Sequence, residues 1–473
     1  MRRWLAVILL SSGALIIAGM VLIETVHIAP RLAAHYLTER QYRSVWLARA
    51  GYTLLALDRG APPTTVQYPD WIARWQTAHQ PSPAQPGQRH ISVNTAEQAR
   101  AALAAAEAGD IIEFQPGHYR FDGSNIPASS AGREDAPIIV RAAQPGTVEL
   151  ELATEEGFWV QGPYWQFENL TVRGICKEDH DCEHAFHVVG GAHHFVARNN
   201  TLIDFNAHFK INGAQGQFPD HGRIEGNRLS NEHPRRTDRS VTLIDLVAAS
   251  DWVIEKNLIA DFVKQRGDHT SYGVFAKGGG ARNQIRSNVI LCTVLLRNPA
   301  FSQDSRQVGA SLGGGGSSAN ACRDKKCVVE QEDGVISNNL IAGCSDEGIY
   351  LNRAARSAVH HNTLLDTAGV SLRYAVTSAD MRGNLIDGPL RLRDGAVLHD
   401  ADNRSNWVTG QYLGLHRVRD LFADAAQLDL RWRGAPPRQA AASTDEAIDL
   451  CGQPRPAQPA YGAFEDFAAC NKQ

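Results

Sequence analysis

Lys277 lies in the stretch GVFAKGGG, after an alternating apolar run and before three glycines. With the aliphatic residues of such a run turned inward, Lys277 faces outward together with Ser271. The glycines would let a ligand approach the backbone closely. Other short alternating runs carry polar residues at the same phase. FHVV presents His187, HFKIN presents His208, Lys210 and Asn212, and VTLID presents Asp245. IYLN presents Tyr350 and Asn352, VSLR presents Arg373, and LRLR presents Arg391 and Arg393. Were these runs stacked in register, about 4.8 Å apart, Lys210, Asp245 and Lys277 would be neighbours. Tyr350 and Arg373 would continue the same face. A cationic groove of this kind binds a polyanion. Arg391 and Arg393 are read as solvated face residues.

What could stack them is a repeat. Eight segments carry an asparagine followed by aliphatic residues: Asn169, Asn200, Asn227, Asn257, Asn288, Asn339, Asn362 and Asn384. In six of them an apolar residue stands three positions earlier, as Ile224, Ile254, Ile285, Ile336, Val359 and Met381. Period-two runs flanked by Gly, Asn and Asp turns are strands, and recurrence on this scale means stacked coils. Equivalent asparagines can bond one another through their amides along the stack. A leucine-rich repeat also carries a recurring asparagine, but no segment shows its leucine pattern. The fold class expected is all-β: a right-handed parallel β-helix over residues 91–404, followed by a capping tail over 405–473.

The chain carries 47 Lys and Arg against 51 Asp and Glu, a net charge of −4, and no basic low-complexity run. No nucleic-acid partner is expected. Trp4–Ile23 is apolar behind Arg2 and Arg3, about the length of a membrane span. A signal anchor over 1–30 is expected, with the bulk of the chain outside the cytoplasm; a cleaved signal peptide is the alternative. Residues 31–58 read as an amphipathic helix, near the membrane or against the end of the solenoid, and 59–90 as a linker rich in Pro, Gln and Thr. A monomer is expected. Eight cysteines in an exported chain suggest disulfides. Cys176 and Cys182 share one loop, as do Cys322 and Cys327. Cys292 and Cys344 fall on adjacent coils, and Cys451 and Cys470 would staple the tail. Residues 298–333 interrupt the repeat with a glycine run and a Cys-bounded basic loop, where an insertion often carries function.

From about residue 92 the chain resembles the chondroitinase-B-like and alginate-lyase-like polysaccharide lyases, pectin-lyase-like β-helix proteins. VNTAEQARAALAAAEAGDIIEFQPGHYRF is similar to their capping helix and first strand, and REDAPIIVRAAQPGTVELE to the next coil. Residues 420–465 resemble a closing segment common in such proteins. The resemblance implies β-elimination on a uronate polysaccharide, with a lysine as base and, about twenty residues later, an arginine that neutralises the carboxylate. Lys277 and Arg297 match that pair. A cation beside the carboxylate stabilises the developing enolate, and a lysine near other cations is depressed toward a useful pKa. Lys210, Asp245, Tyr350 and Arg373 are then groove contacts. His269 and Tyr272 are possible proton donors.

The family also binds Ca²⁺ through acidic ligands just before the lysine, whereas Thr270 and Tyr272 stand there in this chain. No metal or other cofactor is therefore expected. The cationic role passes to Arg297 and Lys210, or the activity differs or is lost. A non-catalytic envelope-anchored binder of acidic polysaccharide is the alternative reading. A C5-epimerase of the same fold would carry an Asp-Pro-His-Asp motif, and a β-helix hydrolase would carry clustered aspartates; neither pattern is present.

Overall fold

From Asn200 to Asn384, one asparagine per coil holds the same corner of this chain. In the computed structural model, which describes residues 17–38, 44–60, 67–75, 88–297, 305–314, 317–440 and 447–471, the amide Nδ2 of each asparagine donates to Oδ1 of the next. The chain of bonds runs from Asn200 through Asn227, Asn257, Asn288, Asn339 and Asn362 to Asn384 at 2.9–3.1 Å. The same Nδ2 also reaches the carbonyl of the apolar residue three before the previous asparagine, such as Asn288 to Ile254 and Asn339 to Ile285. This explains the sequence signature. The apolar side chain fills the interior while its carbonyl, buried by stacking, is satisfied by the next coil's amide.

Two details differ from the sequence reading. Asn169 is one residue out of phase: it sits at φ 60°, in the left-handed position that Asn199, Lys256 and Ser287 occupy in later coils. Leu170 holds the ladder position there, and its backbone N–H donates to Asn200 Oδ1. At the other end the ladder gains Asn403, which accepts from Asn384 Nδ2 at 2.6 Å.

Each corner is flanked by two short strands, as Val196–Arg198 and Thr201–Ile203, and both belong to one wrapped 21-stranded sheet. A third, longer strand in each coil builds a ten-stranded sheet running from Ile126–Ala128 to Leu390–Arg393. Every pairing in this long sheet is parallel, so the chain winds as a parallel β-helix, for which the right-handed crossover is the favoured hand. The interior holds stacked columns, with Phe158, Phe186 and Phe209 face to face at 5.0 and 5.3 Å. Helix Ala96–Ala104 covers the first coil. Thr95 caps it by accepting from the Gln98 N–H, and Gln98 Oε1 reciprocates to the Asn94 N–H.

The long sheet carries a kink in its middle coils. Pairing skips Ala185 opposite Gly157 and His208, and Gly273 opposite Leu243 and Gly309. A Cβ on Gly273 would lie 2.7 Å from the Gly309 carbonyl oxygen, and one on Gly309 2.6 Å from that of Gly348. The kink puts residues three apart on the same outward face. It therefore overturns the alternation read from sequence at two positions. His208 is fully buried with Nε2 on the Ser230 carbonyl, and Ser271 is fully buried, donating to the Phe262 carbonyl.

The flanking segments also depart from expectation. Residues 31–58 form two helices rather than one, Pro30–Thr38 and Val45–Arg59. They cross where Gly51 lacks a side chain: a Cβ there would lie 2.8 Å from Thr38 Cγ2. Fully buried Arg31 pins the pair to the solenoid through Asp58, Asp366 and the Cys344 carbonyl, at 2.6 Å each. Within the expected linker, Asp70–Trp75 is a helix whose Trp71, Ile72 and Trp75 are buried. The indoles of Trp71 and Trp75 donate to the Leu428 and Leu450 carbonyls. The described part of the tail lies along the outer face of the strands that follow the ladder, where Leu258, Leu291 and Leu340 pack with Phe422, Leu430 and Phe464. All four cysteine pairs expected from sequence are disulfides.

Of the expected anchor, residues 1–16 lie outside the described residues. Among the described residues no single helix is long and apolar enough to cross a membrane. Ile17–Val26 and Pro30–Thr38, bent by 84°, reach that length and composition only together.

Candidate active site

Lys277 is the last residue of strand Thr270–Lys277 and projects into a cleft of about 490 Å³. Lys210, Asn212, Phe218 and Val247 form one wall, and the Cys322–Cys327 loop, with Arg323 and Lys325, forms the other. Among the described residues lining it are four cations and no carboxylate. The loop stands on the glycine run: the Arg323 N–H donates to the Gly278 carbonyl, and the Gly279 N–H to the Glu330 carbonyl, both at 2.8 Å. Gly278 and Gly279 have φ of 79° and 80°. These glycines serve the turn and the docking of the loop.

Lys277 itself is half-buried. Its stem passes Gly314, where a Cβ would lie 2.9 Å from Cδ, and its ammonium stands 4.3 Å from the centre of the Phe275 ring. Burial lowers its pKa and the charge of Lys210 adds to the effect, while Asp245 and Glu330 oppose it. Lys210 is bound to Asp245 at 2.6 Å. Arg323 holds Asp220 with both terminal nitrogens, at 2.8 and 2.6 Å, and lies over the Phe218 ring at 4.2 Å.

The predicted column is only partly in register. His187, Lys210, Asp245, Phe275, Ser311, Tyr350, Ser371 and Arg391 lie side by side in that order. Lys277 belongs to the next column, beside Val247 and Asn212. Tyr350 and Arg373 face outward two and three coils beyond the Lys277 strand and do not line its cleft. Arg373 is bound to Asp394 at 2.7 Å. Arg391 is no solvated residue: it is buried and paired with Glu347 at 2.6 Å. Burial and the adjacent Asp346 charge push Glu347 well up. Tyr272, raised by burial and by Tyr350, Asp346 and Glu347, belongs to that acidic region and not to the Lys277 cleft.

Searches of family models return no match. Over 94 residues the chain is 32% identical to pectate lyase L of Dickeya chrysanthemi, covering 17% of this chain and 22% of that one. Over 85 residues it is 32% identical to pectate lyase L of Dickeya dadantii (strain 3937), covering 15% and 20%. The chain thus spans about a fifth of the length of the curated relatives it matches. Among solved structures, pectate lyase Pel9A superposes with a TM-score of 0.56 at 14% identity, over 80% of this chain and 97% of that one. The fold is that of the pectin-lyase-like polysaccharide lyases. On this pectin-lyase-like helix, Arg297 does not join Lys277. It follows the short strand Val289–Leu291 on the far side of the coil and faces Asp366 at 3.3 Å, in a separate cavity with Arg59 and Arg419. The eight-residue Thr270–Lys277 strand alone spans about 25 Å, so twenty residues of sequence carry the chain around the coil rather than back to the cleft. Arg323 and Lys325 were missed as site residues. Their signal was the Cys-bounded basic loop, whose landing place no local pattern specifies.

Proposed function

We propose that the chain cleaves a uronate-containing acidic polysaccharide by β-elimination in the cleft around Lys277. The observation that carries this reading is a half-buried lysine with depressed pKa inside a cleft whose charged lining residues, among those described, are all cations. Burial favours the neutral amine that a base requires. In this reading Lys277 takes the proton at C5 of the uronate. The electron pair moves into a C4–C5 double bond, and the O4 leaving group departs, taking its proton from solvent. Lys210 and Arg323 neutralise the carboxylate, in place of Arg297, and steady the charge that develops on it. Phe218 offers an apolar surface for a sugar ring. The same reading places the bulk of the chain in an oxidising compartment outside the cytoplasm, consistent with four disulfides. A panel of acidic polysaccharides, followed at the ultraviolet absorbance of the unsaturated product, tests it. Growth of absorbance on a uronate polymer is expected. Retention on the polymer with no absorbance would replace the lyase with a binder.

A further inference from the structure

On the two coils before the Lys210 strand, on the same outward face, three potential metal ligands converge. Glu156 and His184 are register partners on adjacent coils, and His187 follows His184 by three residues. Three residues apart would point to opposite faces of a regular strand. The kink at Ala185 and Gly157 turns both imidazoles outward. Nδ1 of His184 lies 2.9 Å from Glu156 Oε2, and Nδ1 of His187 lies 2.6 Å from the same oxygen. The three potential ligand atoms all lie within 4.8 Å of one another.

The hydrogen bonds around His187 fix which nitrogen points at the carboxylate. Asn212 donates from Nδ2 to the Gly213 carbonyl at 3.1 Å, so its Oδ1 is the atom facing His187 Nε2 at 2.7 Å. Nε2 is therefore the donor in that contact, and Nδ1 is the nitrogen turned toward Glu156. A metal-bound histidine is oriented in this way, its second nitrogen donating to a neighbouring oxygen. The Trp159 ring meets the His187 ring edge-on at 4.6 Å and fixes its plane. Both Nδ1 atoms meet the same Glu156 oxygen, a contact satisfied by a proton on each nitrogen or by one cation between them.

We propose that Glu156, His184 and His187 form a binding site for one divalent first-row transition ion. Bonds of about 2.0–2.2 Å to nitrogen and carboxylate oxygen place ligand atoms about 3.0–3.5 Å apart, so the 2.9 and 2.6 Å contacts must open by up to about 0.9 Å. A set of two imidazoles and one carboxylate suits zinc, copper, iron or nickel and not calcium, which takes oxygen ligands. His184 and His187 are 7% and 8% exposed, while the Glu156 side chain, 25% exposed, faces the groove. Three protein ligands leave a position for water or for an anionic group entering along the groove. The proposal is independent of the lyase reading.

Zinc is the probe. The full-length chain, without a polyhistidine tag, is dialysed against Zn²⁺ and then against buffer, and bound metal is counted by mass spectrometry. One zinc per chain is expected. His187→Gln and Glu156→Gln should each weaken zinc binding at least about 100-fold, and Asn212→Ala about 10–100-fold, the usual cost of losing an orienting partner. His193→Ala removes one of a histidine pair elsewhere, His193 and His194 in contact at 2.8 Å, and should leave the count unchanged. Titration with Co²⁺ gives a second readout on wild type alone, since ligand-field absorption reports imidazole coordination even if a variant fails to fold. A wild-type chain that retains no zinc and gives no Co²⁺ spectrum would overturn the proposal and leave the three side chains held by protons. So would zinc that persists in both Glu156→Gln and His187→Gln, or that is lost only in His193→Ala.

Discussion

Two clusters of cations stand at opposite ends of the long strands, and they are built differently. Around Asp366, the guanidinium groups of Arg31 and Arg59 make contacts at 2.6 and 2.7 Å, with Arg297 at 3.3 Å and Arg419 at 3.8 Å. A carboxylate sits at the centre, so the charge is spent inside the protein. Around Lys277, the carboxylates Asp220 and Asp245 stand behind Arg323 and Lys210, and the charged residues described as lining the open space are all cations. The first cluster is a latch that docks the N-terminal helices. The second has room for an external anion. A count of arginines near a site does not separate the two cases; the position of the carboxylate does.

The sharpest test of this contrast is Lys277→Ala. If Lys277 is the base, turnover of a uronate polymer should fall about 10²–10⁴-fold while polymer binding stays nearly intact. The wild-type rate should rise with pH as the amine loses its proton, and that limb should start lower than an exposed lysine would give, because burial depresses the Lys277 pKa. Equal losses of binding and turnover would mark Lys277 as a binding contact only.

Next in size is Asp366→Ala, which leaves several arginines around an empty centre. Breaking such a buried pairing costs about 3–5 kcal/mol, read as a lowered urea midpoint. Proteolysis between the N-terminal helices and the solenoid should speed up as well. The pH dependence has a definite sign. Although burial alone would raise it, the surrounding arginines hold the Asp366 pKa far below its ordinary value. Its contribution is therefore complete above the unfolded carboxylate value, about 4, and is lost as pH falls toward the folded value. Asp366→Asn should flatten that acid limb. An unchanged midpoint in both variants would remove the latch from the account.

How much of this was legible depends on the range of the interaction. The ladder was readable because each coil repeats the same local requirement, and the error at Asn169 came from a doubled polar pair, Glu168-Asn169, whose phase only the stack decides. The outward face was readable at Lys210, Asp245 and Lys277. It failed at His208 and Ser271, because the kink breaks strict alternation and its only local mark is a glycine in some coils. Coil spacing pointed to the Cys292–Cys344 disulfide, and shared loops pointed to Cys176–Cys182 and Cys322–Cys327. The latch left no local trace: Arg31 and Asp366 are 335 residues apart in sequence. Arg297 was paired with Lys277 through the family resemblance, and twenty residues of separation says nothing about which side of a coil the second residue occupies.

The ladder itself supplies a smaller effect. Asn288→Ala leaves the Asn257 N–H and the Ile254 carbonyl buried without their partner. Unsatisfied buried groups cost about 1–3 kcal/mol each, so a loss of at least about 2 kcal/mol in denaturant unfolding is expected. Asn403→Ala, at the half-buried end of the ladder, should cost less. Equal losses at the two sites would mean that the ladder does not act through buried amides.

The smallest expected effect discriminates best between the two clusters. Arg297 lines the latch cavity, not the cleft, and three other arginines already surround its partner Asp366. Arg297→Ala should therefore leave turnover within about twofold of wild type, the range for substitutions away from a site, or about 0.5 kcal/mol. Arg323→Ala, by contrast, removes a cation from the cleft wall and should weaken substrate affinity, most clearly at low salt, where charge attraction is least screened. The two arginines exchange roles under the alternative pairing: Arg297→Ala would then depress turnover as deeply as Lys277→Ala, and Arg323→Ala would be silent. That outcome would require substrate to span both ends of the long strand, and the carboxylate-centred arrangement around Asp366 would have to open to receive it.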